Sequence, residues 1–248
     1  MQAENFLLYY KKDRIERGVL WEKHCHAYFE LIAVLAGDVC VTLEGKEFPL
    51  ETGNAILIPP LCYHSVTANK TGTYRRLTAA FEPDTLPPAL CSLLFQGAPR
   101  PFCAGTAQVE RLCSLCEQEK MLYAPLAGAL MIELLYACAD SAQGESDSVT
   151  DPILHRALGY IEKHLCERLT LDDVAASVAC SKSLLCHRFQ ARMRISPKQY
   201  ILQKRMALAA KLIREGTPPT QAALRVGYDN YSNFYRMYQK HLQKAPSQ

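Results

Sequence analysis

The residues with the most chemistry to offer lie early in the chain, in the run His24-x-His26-x-Tyr28-x-Glu30. These four alternate, so on one strand their side chains all leave the same face. Tyr63 and His64 follow some thirty residues later. Three imidazoles and one carboxylate (His24, His26, His64 and Glu30) form a set that suits a divalent cation such as zinc, manganese, iron or nickel. A second use fits the same residues. With Tyr28 and Tyr63 beside them, and Trp21 near, the polar groups could line a pocket for a sugar or related small metabolite, with no cofactor required. Both uses stay open at the level of sequence.

A second set of candidates lies near the end. From Asp151 onward sixteen Lys and Arg face seven Asp and Glu, a balance of +9, whereas the first 150 residues stand at −6 and the whole chain at +3. An acidic front joined to a basic back points to two tasks, with nucleic acid as the partner of the basic part. Within it, Leu185, Phe189 and Met193 are spaced as the buried stripe of a helix that Ser181 can cap. Lys182, Ser183, Cys186, His187 and Gln190 stand on the other face. The pattern then repeats. Asp229 or Asn230 caps a last helix with Phe234, Met237, Tyr238 and His241 turned inward and Ser232, Asn233, Arg236 and Lys240 turned outward.

The elements that position these faces are legible. Thr170-Leu171-Asp172-Asp173 reads as a helix cap with an acid at the third position. Leu171, Val174, Ala175 and Val178 then share a buried face, and Ala179-Cys180 forms the turn. Ser196-Pro197-Lys198-Gln199 starts a long helix that runs through Leu212 and Ile213 and stops at Gly216. Thr217 begins the next helix, with Pro218 and Pro219 in its first turn, and Gly227 supplies a tight turn with positive φ. Two short helix-turn-helix units joined by one long helix can set two recognition helices in successive major grooves, about 34 Å apart.

From Leu169 to Gln248 the chain resembles the DNA-binding domain of the AraC/XylS family of bacterial transcription regulators. The most specific stretch runs from Arg225-Val226-Gly227-Tyr228 through Asn233-Phe234-Tyr235-Arg236. The resemblance implies base contacts from Ser183, Cys186 and His187 in the first unit, and from Tyr231, Ser232, Asn233 and Arg236 in the second. It implies that Lys182, Arg188, Lys240 and the helix N-termini, with Ser181 at one of them, hold phosphates. The sequence departs from the family at Arg194, where Gly is usual, and at His187, often an Arg. His187 is shorter than Arg and lacks its bidentate fork, and Cys186 is a weak hydrogen bonder. The second unit should therefore supply more of the specificity.

The front half resembles the cupins, small double-sheet barrels, through Gly18-x5-His24-x-His26-x3-Glu30-x6-Gly37 and, in part, Gly53-x5-Pro59 followed by His64. Leu61 stands where that pattern usually has Gly. Val39, Val41 and Leu43 alternate with polar neighbours, and Ala55-Ile56-Leu57-Ile58 reads as a strand buried on both faces. The expected organisation is a cupin-like effector-sensing barrel over 1–85, a helical dimerisation segment over 86–140, a linker over 141–150, and an all-α double helix-turn-helix domain over 151–248. Leu112, Leu115, Glu119 and Leu122, then Leu126, Leu130 and Leu134, carry the helical spacing of the middle segment.

The composition also narrows the classes. The N-terminus lacks a basic patch followed by an apolar run, so no signal peptide is expected. Ala127 to Ala139 is too short to cross a bilayer and contains Glu133. The eleven cysteines read as reduced core residues of a cytoplasmic protein, and Cys113-x-x-Cys116 has no second pair beside it. The expected function is an effector-controlled, sequence-specific DNA-binding regulator and not an enzyme. The resemblance implies promoter DNA as partner, a homodimer, and RNA polymerase if the protein activates, as the family tends to. The alternative is a metal-dependent cupin enzyme fused to a DNA-binding tail.

Overall fold

The computed structural model describes residues 1–3, 5–18, 24–96, 99–118, 121–141, 151–193, 195–242 and 245–246. They form two compact units, one drawn mainly from residues 1–147 and the other mainly from 148–248. Trp21, Glu119, Arg194 and nearly all of the expected linker lie outside the described residues.

The first unit begins with strands β1 (Gln2–Ala3), β2 (Phe6–Ile15), β3 (Phe29–Ala36), β4 (Asp38–Leu43), β5 (Lys46–Glu51), β6 (Asn54–Ile58), β7 (His64–Ala68) and β8 (Gly72–Phe81). Helix α1 (Pro88–Gln96), the short strand β9 (Phe102–Cys103), α2 (Thr106–Gln118) and α3 (Ala124–Ser141) complete it. One sheet has the order β1-β2-β8-β3-β6-β9 and the other β5-β4-β7. The two sheets make the cupin-like sandwich without closing into one hydrogen-bonded barrel.

Strand alternation divides the core in two. Phe29, Leu31, Ala33 and Leu35 of β3 face outward and pack with Leu112, Met131 and Leu134 of the helices. Ile32 and Val34, of the other parity, join Val39, Val41, Ile56 and Ile58 between the sheets. The middle helices therefore cover the larger sheet, and β9, too short to show alternation, pairs with Asn54 and Ala55 of β6. At 18 residues α3 meets the length and composition of a membrane span, more than the sequence run suggested. Its buried stripe, however, lies in the core beneath the sheet. The eleven cysteines are free thiols. Burial pushes the Cys113 thiol up to about 12 and raises that of Cys116, which disfavours the reactive thiolate.

The second unit is helical: α4 (Pro152–Lys163), α5 (Leu171–Ser177), α6 (Lys182–Met193), α7 (Pro197–Arg214), α8 (Pro219–Arg225) and α9 (Tyr231–Leu242). Thr170 and Asp173 form a full capping box at α5, and Ser196 and Gln199 another at α7. Helix α8 starts one residue later than expected, with Pro218 and not Thr217 at its cap position. Leu185, Phe189, Met193, Phe234 and Tyr238 are buried as the spacing predicts. His241 is not: it is exposed on the last turn of α9.

Candidate functional site

The two helix-turn-helix units are built on the same turn. After α5, the amide of Ala179 donates to the Ala176 carbonyl at 3.1 Å and that of Cys180 to the Ala175 carbonyl at 3.0 Å. After α8, Gly227 donates to Leu224 and Tyr228 to Ala223, each at 3.0 Å. Both are Schellman closures with the pivotal residue left-handed, at φ 53 for Ala179 and φ 82 for Gly227. Sequence alone assigned the positive φ to Gly227 but not to Ala179.

At α6, Ser181 Oγ accepts from the Leu184 amide at 3.2 Å, so its hydroxyl caps the helix. Lys182, Ser183 and His187 are exposed, whereas Cys186 and Arg188 are half-buried. The expected outward face is thus narrower than the sequence implied. Arg188 Nη1 lies 2.9 Å from Asp151 Oδ2, and Lys182 Nζ lies 2.8 Å from Asp172 Oδ2. Asp151 also accepts from the Ile153 and Leu154 amides as the cap of α4. Its burial favours the neutral acid, but those amides and the Arg188 guanidinium outweigh it and hold the carboxyl below its ordinary 3.8.

At α9, Asn230 resolves the choice of cap: its Oδ1 accepts from the Asn233 amide at 2.9 Å. Tyr231, Ser232, Asn233, Arg236 and Lys240 are all exposed. Arg236 Nη2 donates to Asn233 Oδ1 at 3.2 Å, which holds the guanidinium along the helix face. Tyr235 of α9 and Leu184 of α6, not named among the candidate contacts, are also exposed.

The strand argument for His24, His26, Tyr28 and Glu30 needs correction. β3 begins only at Phe29, and His24 makes an isolated bridge before irregular backbone. The groups meet even so: one ligand atom from each of His24, His26, Glu30 and His64 lies within 4.8 Å of the others. Tyr63 is buried and Tyr28 half-buried. His64 Nδ1 is 2.9 Å from the Cys62 carbonyl oxygen, and its Nε2 is 3.1 Å from Glu30 Oε2. Just before this histidine, Leu61 adopts φ 61, a left-handed conformation that favours Gly, the residue usual at this place in the cupin pattern.

Glu30 pairs with Ala80 across the sheet, Ile32 with Thr78 and Val34 with Arg76, so Arg76 shares the inner face. Buried Tyr74 lies under its guanidinium, 4.9 Å from ring centroid to Cζ, and Arg76 Nη1 reaches Asp13 Oδ2 at 2.8 Å. Sequence reading missed this Tyr74–Arg76–Asp13 group. The signal was the alternation of β8, but only the register shows which side of it joins Glu30.

Comparison with known proteins follows the same division. The family model for an AraC-like ligand binding domain matches residues 13–146, and one for a helix-turn-helix domain matches 174–248. YdiP of Escherichia coli K12, described as an uncharacterized HTH-type transcriptional regulator, is 33% identical over 99 residues. That match takes in 39% of this chain and 32% of YdiP, so the chain spans about a third of that relative's length. YbfI of Bacillus subtilis 168, described in the same words, is 24% identical over 230 residues, 88% of this chain and 83% of that protein. Among solved structures, the C-terminal domain of AraT, a response regulator from Geobacillus stearothermophilus, aligns at 33% identity and TM-score 0.38. It covers 39% of this chain and 81% of that one. The matching models and these named relatives are those of regulators and not of enzymes. With the ligand-binding model alone spanning more than half of its residues, the chain belongs to the AraC family of transcription regulators.

Proposed function

We propose that the protein is an effector-controlled regulator in which α9 supplies most of the base reading and α6 mostly positions the duplex. The observation that carries this is the contrast in how the two helices hold their cations. Lys182 and Arg188 of α6 are engaged by carboxylates, whereas Arg236 of α9 is exposed and oriented by an amide oxygen. An oriented guanidinium suits the paired acceptors of guanine in the major groove. Ser232, Asn233 and Tyr231 complete that reading face, while Ser183, Cys186 and His187 add contacts from the first unit. Lys240 joins Lys182 and Arg188 in holding phosphates, the last two after exchanging their carboxylate partners.

The test is a set of operator variants measured with Arg236→Ala and His187→Ala. Discrimination at one base pair should fall by roughly 1–3 kcal/mol in the Arg236 variant. A greater loss in the His187 variant refutes the assignment. Two copies on two half-sites fit this scheme, and α3 offers a face for pairing. Leu126, Ala129, Glu133 and Tyr136 of α3, at spacings of three and four, and Leu122 just before it are exposed and mostly apolar. Tyr136→Asp should then turn a sedimenting dimer into a monomer. A small metabolite such as a sugar in the first unit, and RNA polymerase as a second partner if the protein activates, complete the proposal.

A second reading, that the effector site holds a divalent cation, is favoured by His64. A carbonyl only accepts, so the Nδ1 facing Cys62 carries the proton. Nε2 then faces a carboxylate oxygen at 3.1 Å, and a divalent cation held between the two would satisfy both lone pairs. A backbone carbonyl holding the far nitrogen is the usual support of a metal-binding imidazole. Ligands about 2.1 Å from a tetrahedral zinc stand about 3.4 Å apart, so atoms within 4.8 Å need only small side-chain rotations. His24, His26, Glu30 and His64 would hold the ion, which would act as a structural or sensing centre. Metal analysis of protein purified without an affinity tag tests this. One equivalent is expected, lost in His64→Gln, and its absence from the untreated protein refutes it.

A further inference from the structure

A cleft of about 550 Å³ opens within the helical unit. Asp172 of α5 and Lys182 of α6 border it on one side, and Asn233 of α9 on the other. Lys198 and Arg205 of α7 lie between them. Both recognition helices therefore flank a single cleft with three cations and one carboxylate on its walls. Arg205 is committed, donating to the carbonyls of Leu165 at 2.8 Å, Glu167 at 2.6 Å and Gly227 at 3.4 Å. Lys182 is held by Asp172 across an exposed 2.8 Å pair. Lys198 is exposed and makes no ion pair among the described residues.

We propose that this cleft receives phosphates of the DNA backbone, contacted by Lys198 and Lys182, and that Asp172 occupies the phosphate's place on Lys182 until DNA displaces it. Two recognition helices in successive major grooves stand one duplex turn apart. What faces the protein between them is the minor groove and its bordering backbones, not the edges of major-groove bases. A cation between the helices therefore meets phosphate. An exposed carboxylate–ammonium pair is held weakly, so a phosphate can take the lysine from it. The displaced carboxylate remains beside the incoming anion and opposes binding. Lys198 is thus a positioning residue, and Asp172 a built-in limit on affinity.

The test uses the full chain and a fluorescent mixed-sequence duplex of about four helical turns, with anisotropy read across a salt series. Non-specific binding suffices, because the phosphate term does not depend on sequence. Lys198→Ala and Lys182→Ala should each reduce the slope of log affinity against log salt by about 0.9. Asp172→Asn should bind tighter, by about threefold or more at low salt, consistent with removing one like charge near the backbone. Lys163→Ala, outside the cleft lining, should keep the wild-type slope. Circular dichroism checks that each variant is folded. A wild-type slope in Lys198→Ala, or no gain in Asp172→Asn, overturns the proposal while leaving DNA binding intact. A flat slope in the wild-type protein overturns DNA binding as well. A thermal shift by decanoate that Lys198→Ala abolishes, with the duplex slope unchanged, assigns the cleft to a small amphiphilic anion and also overturns the proposal.

Discussion

The two equivalent turns invite opposite substitutions: Gly227→Ala in the second unit and Ala179→Gly in the first. A left-handed residue bearing a Cβ costs about 1–2 kcal/mol. Gly227→Ala adds more, because its Cβ would stand 3.0 Å from Arg205 Nη2, 3.1 Å from Arg205 Cζ and 3.1 Å from the Cys166 carbonyl oxygen. Arg205 bridges the carbonyls of Leu165 and Glu167 to that of Gly227. Forcing it away loses at least one charge-assisted bond, about 1.5–3 kcal/mol. The combined cost is about 3 kcal/mol, or roughly a hundredfold in local opening. Ala179 is exposed and already left-handed. Replacing it with Gly relieves strain but loosens the unfolded chain, for a net gain of about 0.5 kcal/mol. Hydrogen exchange of the full chain, read on peptides covering α8 and α9, should show the hundredfold loss of protection in Gly227→Ala. In an Arg205→Met background the same substitution should cost less, about 1–2 kcal/mol, from the backbone strain and the remaining approach to the Cys166 carbonyl. Wild-type protection in Gly227→Ala, or additive costs in the double variant, refutes the role given to Arg205.

Three further outcomes follow from the helical unit. The carboxyl of Asp151 is held below its ordinary value, so its stabilisation is present above about pH 4 and lost as pH falls through the lowered value. Asp151→Asn should flatten that acid-side loss in a thermal-melt series, and an unchanged profile counts against the Arg188 pair. Ser196→Ala removes the side chain that caps α7 and should cost about 1 kcal/mol in urea unfolding. Phe234→Ala empties a site with no exposed surface and should cost about 3–5 kcal/mol, with loss of DNA binding in the same titration.

Local signals were legible in the sequence, and cross-chain ones were not. Both capping boxes, the stripe Leu185–Phe189–Met193 and the stop at Gly216 depend on neighbours within one or two turns, and each formed as read. The partners of the recognition-helix cations depend on packing. Asp151 is 37 residues from Arg188, and nothing in the spacing brings them together. The inner face of β8 is set by register with β3, so Tyr74 and Arg76 were invisible until the strands were paired. The four residues of the histidine cluster do meet, but not for the reason the parity rule gives. The parity rule assumes a continuous strand, yet the chain before Phe29 is irregular, and it gathers His24 and His26 near Glu30 by loop geometry.

The two helix-turn-helix units share a topology but differ in how tightly each is braced. In the second, Gly227 lets Arg205 approach its turn, and Asn230, Asn233 and Arg236 form one chain of hydrogen bonds along α9. In the first, the turn carries a left-handed Ala, and Lys182 and Arg188 of α6 are joined to acids at the heads of α5 and α4. A phosphate must compete with those acids, whereas a base meeting Arg236 displaces only one neutral amide contact. An ion pair surrendered to phosphate exchanges one anion for another and carries little sequence information. A guanidinium already oriented gives up less rotational freedom on meeting guanine. On the proposed reading, the same fold would divide its work by pairing alone, with holding assigned to α6 and reading to α9.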